Sequence, residues 1–279
     1  MNYIDEFLAE TKKLIEDNQS KNSSEKEELI KSRPKIISVA SGKGGVGKTT
    51  LSVNLALSLI EKGLKLTLFD ADMGMADSDI LLGATINTTL MDYLNGKSDF
   101  DEIIHKVLSM DLISGGSGVA ELANLGRMER NYIYSDILKK IHTEYMIIDT
   151  GAGISENTTF FMLEADIRLI VITPEPTSIV DGYGMIKTLF KMGCPTVYVV
   201  INRAFDEIEA KATFENIKNV ASKTFNNNLI YCGYVPDDRD VQYALFQRKP
   251  VFLLKEKPVV KFIEKVGGFL YNTLEAESK

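Results

Sequence analysis

The sequence predicts an α/β fold, a three-layer sandwich with a mostly parallel sheet and helices on both faces. Two observations carry this. Short, nearly continuous apolar runs alternate with stretches of helical periodicity, which is how strands covered on both faces read. Acidic or polar residues close several of those runs, at the strand ends where open α/β sheets place their ligands. With 279 residues and 44% hydrophobic composition, the chain can bury a sizeable core.

Residues 1–33 read as a separate leader. Residues 3–15 carry Ile4, Phe7, Leu8, Leu14 and Ile15 near helical spacing, and residues 16–32 are a polar, Ser- and Asn-containing linker. The charges within residues 1–9 do not fit a secretory signal. The main domain is expected over 34–257, opening with a β-branched strand at 35–40. Further strands are expected at 64–69, 145–148, 168–173, 196–201 and 229–235, with helices at 49–61, 179–191 and 206–225.

Directly after the first strand, Gly42, Lys43, Gly44, Gly45, Val46, Gly47, Lys48 and Thr49 match G-x-x-x-x-G-K-[ST], with Thr50 following in the helix. Glycines let successive backbone N–H groups approach phosphate oxygens, and the helix N-terminus adds partial positive charge. Lys48 is expected on the β and γ phosphates and the Thr49 hydroxyl on Mg²⁺. The fold is thus specified as a P-loop NTPase sandwich. Asp70 and Asp72 close the second strand, and two carboxylates one residue apart project to the same side there. Met146, Ile147, Ile148 and Asp149 form a buried strand ending in an acid, placed to orient Mg²⁺.

Composition narrows the classes. A net charge of -7 disfavours nonspecific DNA binding. Cys194 and Cys232 form no CxxC pair, which argues against an iron–sulfur carrier. No run reaches the roughly 18 apolar residues of a membrane span. The expected compartment is the cytoplasm.

Lys43, just after the first glycine, is not needed by an ordinary phosphate loop. In this position it resembles the deviant loop of the MinD and ParA ATPases. The likeness is strongest to the flagellar-number regulators of the FlhG (FleN, YlxH) group. It rests on Phe69 to Asp79, on Ile113 to Gly118, on Ile148 to Ile154, and on Thr173-Pro174-Glu175-Pro176-Thr177-Ser178 followed by Asp181-Gly182-Tyr183-Gly184. The resemblance implies a slow, switch-type ATP hydrolase that forms an ATP-dependent homodimer. Lys43 would contact the partner's phosphates, Asp72 would hold the attacking water, and the loop 150–153 would sense the γ-phosphate. Asn202 and Arg203 on one strand end, with Pro236 and Asp237 on the next, would flank adenine. Implied partners are the GTPase FlhF and flagellar switch-complex components. Readings of other kinds are a cell-division-site or partitioning ATPase, and an ATP-gated scaffold with little turnover. The last draws on Asp77, which stands where the family usually has Asn.

Residues 258–279 are expected to form an amphipathic helix. Val259, Phe262, Ile263, Val266, Phe269, Leu270 and Leu274 recur at helical spacing beside Lys255, Lys257, Lys261 and Lys265. The stripe suits either a peripheral contact with the inner face of the membrane or packing on the domain. Gly267 and Gly268 weaken the helix by about 1 kcal/mol each.

Overall fold

The computed structural model describes residues 33–72, 76–116 and 127–276. The expected leader, residues 1–32, lies outside them, as do Met73 to Met75.

Eight strands form one sheet. They are β1 (Lys35–Ser41), β2 (Leu66–Ala71), β3 (His105–Val107), β4 (Met110–Ser114), β5 (Tyr145–Ala152), β6 (Ile167–Ile172), β7 (Thr196–Ala204) and β8 (Asn228–Pro236). Their order is β3-β4-β2-β5-β1-β6-β7-β8. Only β3 runs antiparallel to its neighbour. The helices are α1 (Lys48–Glu61), α2 (Ser78–Leu82), α3 (Leu90–Leu94), α4 (Arg127–Lys140), α5 (Glu156–Glu164), α6 (Pro176–Lys191), α7 (Glu207–Ser222), α8 (Arg239–Phe246) and α9 (Pro258–Ala276).

Strand alternation divides the core. Ile37 and Val39 point to the layer containing α1 and α9. Ile36 points instead to α4 and α5, and Ala40 to α6 and α7. Helix α1 is buried nearly all round, from Leu51 to Leu59 with Ser52, Asn54 and Ser58 among them, because it is wedged between the sheet and α9.

That contact settles the apolar stripe of the last helix. Val259, Val260, Ile263, Val266, Leu270 and Leu274 are buried against the core of α1 and β8. A Cβ on Gly267 would come within 2.4 Å of Ser58 Oγ, so glycine there lets the two helices approach. Lys35 Nζ donates to the Leu274 carbonyl at 2.6 Å, satisfying one of the helix's last acceptors. The helix therefore shares a core with α1 and β8, which buries Val259, Ile263, Val266, Leu270 and Leu274 of its stripe and leaves Phe262 and Phe269 half-buried.

Six expected strands appear within two residues of their places at their starts, but β5 runs on to Ala152 and β7 to Ala204, four and three residues past their expected ends. β3 and β4 were not expected, being short, and neither were α2, α3, α4, α5 and α8. Helix α4 reads as polar, RMERNYIYSDILKK, with Ile133 and Ile137 supplying its buried side.

Candidate functional site

The chain turns sharply between β1 and α1. Gly45 has φ +80° and Gly47 φ +86°, a left-handed conformation in which a side chain is strained. Gly42 is required for a different reason: a Cβ there would lie 2.2 Å from the backbone of Asp181 in α6. The loop is thus pressed onto α6 at one side. On the other, Asn202 Nδ2 donates to the Val46 carbonyl at 2.7 Å, and a Cβ on Gly47 would meet that same nitrogen at 2.5 Å.

A cavity of about 560 Å³ opens beyond the C-terminal ends of the parallel strands, a size that suits a small ligand. Gly44, Gly45, Gly47, Lys48, Thr49 and Thr50 line one end. Asn202, Arg203, Pro236 and Asp237 line the cavity from the ends of β7 and β8, with Asn202 against Gly47, and Asp72 lines it just beyond β2. Ser41 and Ala152 complete the phosphate-loop end.

The ionic centre lies at the phosphate-loop end. Lys48 is 6% exposed and its Nζ stands 3.1 Å from Asp149 Oδ2, on a side chain with no exposure. Neither atom makes a hydrogen bond. Asp149 Oδ1 accepts from Ser52 Oγ at 2.7 Å, which fixes the carboxylate. A buried ammonium with unused donors is costly, and acceptor oxygens entering the cavity would relieve it. Thr49 lines the same cavity. The Thr49 hydroxyl at the cavity and the Asp149 carboxylate buried beneath Lys48 are hard oxygen donors that would suit Mg²⁺ carried with a polyphosphate once Lys48 moves onto the phosphates.

Asp70 is not a ligand of the cavity. It is 1% exposed and spends its carboxylate on the backbone N–H groups of Asp72 at 3.2 Å, Asp77 at 3.1 Å and Ser78 at 3.0 Å. It thereby ties both ends of the segment that carries Asp72. Burial, and next the charge of Asp149, push Asp70 up to about 6, against those N–H groups, which hold it down. Asp77 is exposed and lines the cavity as the N-cap residue of α2, without a side-chain capping bond. Asp72 Oδ1 packs beside Gly151, 3.6 Å from where a Cβ would stand. The loop bearing Gly151 is pinned by Thr150 Oγ1 donating to the Val39 carbonyl and by Thr158 Oγ1 donating to that of Gly151.

Where β7 and β8 end, Arg203 has φ +58°, and its Nε lies 3.4 Å from Asp237 Oδ1. The Asp237 N–H donates to the Ala204 carbonyl, which joins the two strand ends.

Most of the expected site residues thus meet at one cavity. Four do not line it. Gly42 packs on α6, Val46 enters the core, and Asp149 lies beneath Lys48. Lys43 turns away: its Nζ donates to Thr177 Oγ1 at 2.9 Å and to Glu175 Oε2 at 3.2 Å. Sequence reasoning missed Ser52, whose position one turn after Lys48 was the available signal. It also missed Asn54, Leu81, Val241 and Leu245, which line the cavity from α1, α2 and α8 and carry no motif.

Comparison with known proteins agrees with this geometry. The model of the AAA domain matches residues 34–193. The antiactivator FleN of Pseudomonas aeruginosa is 34% identical over 222 residues, 78% of this chain and 79% of that protein. The flagellum site-determining protein YlxH of Helicobacter pylori is 33% identical over 253 residues, 88% and 84% of the two chains. The MinC:MinD cell division protein complex of Aquifex aeolicus contains a chain that superposes with a TM-score of 0.71 at 26% identity, covering 85% of this chain and 96% of that one.

Proposed function

We propose, because the chain belongs to the MinD/ParA-type ATPases close to FlhG, that it is an ATP-gated switch acting in the control of flagellar number or placement. The observation that carries the nucleotide reading is the Lys48 ammonium, buried at the phosphate-loop end of the cavity with no hydrogen bond.

Phosphates entering the loop would take the N–H groups of residues 44–49 and draw Lys48 from Asp149. Mg²⁺ would be held by Thr49 and Asp149, and it supplies neutralisation of phosphate charge. Asp72, placed by the Asp70 clamp, orients the attacking water. Asn202 keeps one acceptor for the base while its nitrogen braces Val46. Lys43 completes the site of a second copy, as a cation supplied in trans. Turnover is slow in this reading, since the second copy must assemble first. FlhF and flagellar switch-complex components are the partners this reading expects. The name of YlxH, a flagellum site-determining protein, supports the flagellar assignment.

The test is direct. Lys48→Ala should lower ATP affinity at least about a hundredfold, since it removes a charge-assisted contact in a buried site. Light scattering should give a dimer for Asp72→Ala with ATP and Mg²⁺, and a monomer when Lys43→Ala is added. A tight ATP complex of Lys48→Ala sinks the nucleotide site. A persistent dimer of Asp72→Ala/Lys43→Ala sinks the trans role.

A second reading, a scaffold that binds ATP with little turnover, is favoured by Asp77, whose carboxylate faces the cavity. Phosphate release that rises in Asp77→Asn would support it.

A further inference from the structure

The motif around Glu175 has no part in the reading above, yet it holds the residue on which that reading most depends. We propose that Glu175 and Thr177 are positioning residues that park the Lys43 ammonium on its own protomer until a second copy arrives. The proposal rests on the trans role of Lys43 and names how that role is held off.

The geometry is specific. Gly42 lies against the backbone of Asp181, which sets the phosphate loop beside α6 and brings Lys43 to the start of that helix. Glu175 is the N-cap residue of α6, yet its side chain makes no capping bond. Pro176 stands at the first helical position, where its missing N–H leaves one orphan donor fewer. Ser178 Oγ is committed to the Thr173 N–H. The Glu175 carboxylate is therefore left to face Lys43 at 3.2 Å, and Thr177 Oγ1 adds a second acceptor at 2.9 Å.

The hold is weak by construction. Both partners are partly exposed, 38% and 56%, so solvent and salt screen the pair. Lys43 also sits at a helix N-terminus, where the helix dipole disfavours a cation. A partner's triphosphate offers a larger negative charge than one carboxylate. The parked state is thus one the lysine leaves once a loaded second copy presents its phosphates, and one that discourages docking without them.

The experiment measures Lys43 directly. Nucleotide-free protein is treated briefly with an amine-acetylating reagent, and modification of Lys43 is followed by mass spectrometry in wild type, Glu175→Gln, Thr177→Ala and Glu175→Asp. Glu175→Gln and Thr177→Ala should each raise the rate about two- to fivefold, with partial rescue in Glu175→Asp. Raising salt should speed modification of wild type and leave Glu175→Gln unchanged. In the Asp72→Ala background, Glu175→Gln should lower the ATP concentration at half-dimerisation by a similar factor. Unchanged Lys43 reactivity overturns the proposal. So does weaker dimerisation of Glu175→Gln, which would place Glu175 in contacts between the copies. If Lys43→Ala still dimerises, the trans reading fails whatever the reactivities show.

Discussion

Asp70 and Asp149 stand in register on the adjacent parallel strands β2 and β5. The first organises the segment that carries Asp72, and the second anchors Lys48. Burial first, and next the charge of Asp149, raise the cost of ionising Asp70, which stands at about 6 against an ordinary 3.8. The native state holds that proton more tightly than the unfolded chain does. Between roughly pH 4 and 6 it therefore binds more protons, and this group's contribution to stability falls as pH rises. Below about pH 4 the contribution is complete, and it amounts to about 3 kcal/mol. Urea unfolding of nucleotide-free wild type and Asp70→Asn at pH 4.5 and 7 tests this. The variant should lose less stability than wild type on going to pH 7, and parallel curves would refute the assignment.

Lys48→Ala should destabilise the nucleotide-free protein as well as weaken ATP binding. It leaves Asp149 fully buried without its ion-pair partner, a change that costs about 3–5 kcal/mol. Chemical denaturation without nucleotide reads this apart from binding. A variant as stable as wild type means the pair carries no weight in the folded state.

Asn202→Ala removes the brace on the Val46 carbonyl. Loss of a buried hydrogen bond with one partner left unsatisfied costs about 1–3 kcal/mol. ATP affinity should fall about tenfold or more through the loosened loop. Calorimetric titration checks it, and an unaltered affinity would mean that the loop keeps its shape alone.

The paired glycines of α9 should respond oppositely to alanine. In Gly267→Ala the new methyl meets Ser58, with Oγ at 2.4 Å and Cβ at 3.0 Å, so about 1–3 kcal/mol of stability is lost by overpacking. In Gly268→Ala the nearest atoms belong to the flexible Lys62 side chain, at 3.7–3.8 Å, and the helix gains about 0.5–1 kcal/mol. Thermal melts of the two variants give the comparison. Equal shifts in the same direction would remove the packing reason for Gly267.

The phosphate loop was legible in the sequence because its chemistry is local. Backbone N–H groups, left-handed glycines, Lys48 and Thr49 all fall within eight residues, so motif and strand–loop–helix context coincide. The parallel sheet was legible because strands buried on both faces are apolar throughout. Helix α4 and strand β4 were not, since one is polar on most of its surface and the other is five residues long. No local pattern marks Asp70 as a clamp, because its partners at Asp77 and Ser78 lie seven and eight residues further along the chain.

By itself, then, the sequence determined the fold class and the glycine-rich strand–loop–helix turn that lines one end of the cavity. Tertiary structure decided what local spacing leaves open. It turned Asn202 onto Val46 from 156 residues away. It covered most of the apolar stripe of α9 with α1 and β8, where periodicity allowed a membrane as readily as a core. It also set Lys43 against Glu175 and Thr177, because Gly42 admits the backbone of α6 to a distance that only the packed sheet defines. Contacts between residues so far apart in the chain depend on how layers stack, and composition and periodicity record only that each layer has an apolar side.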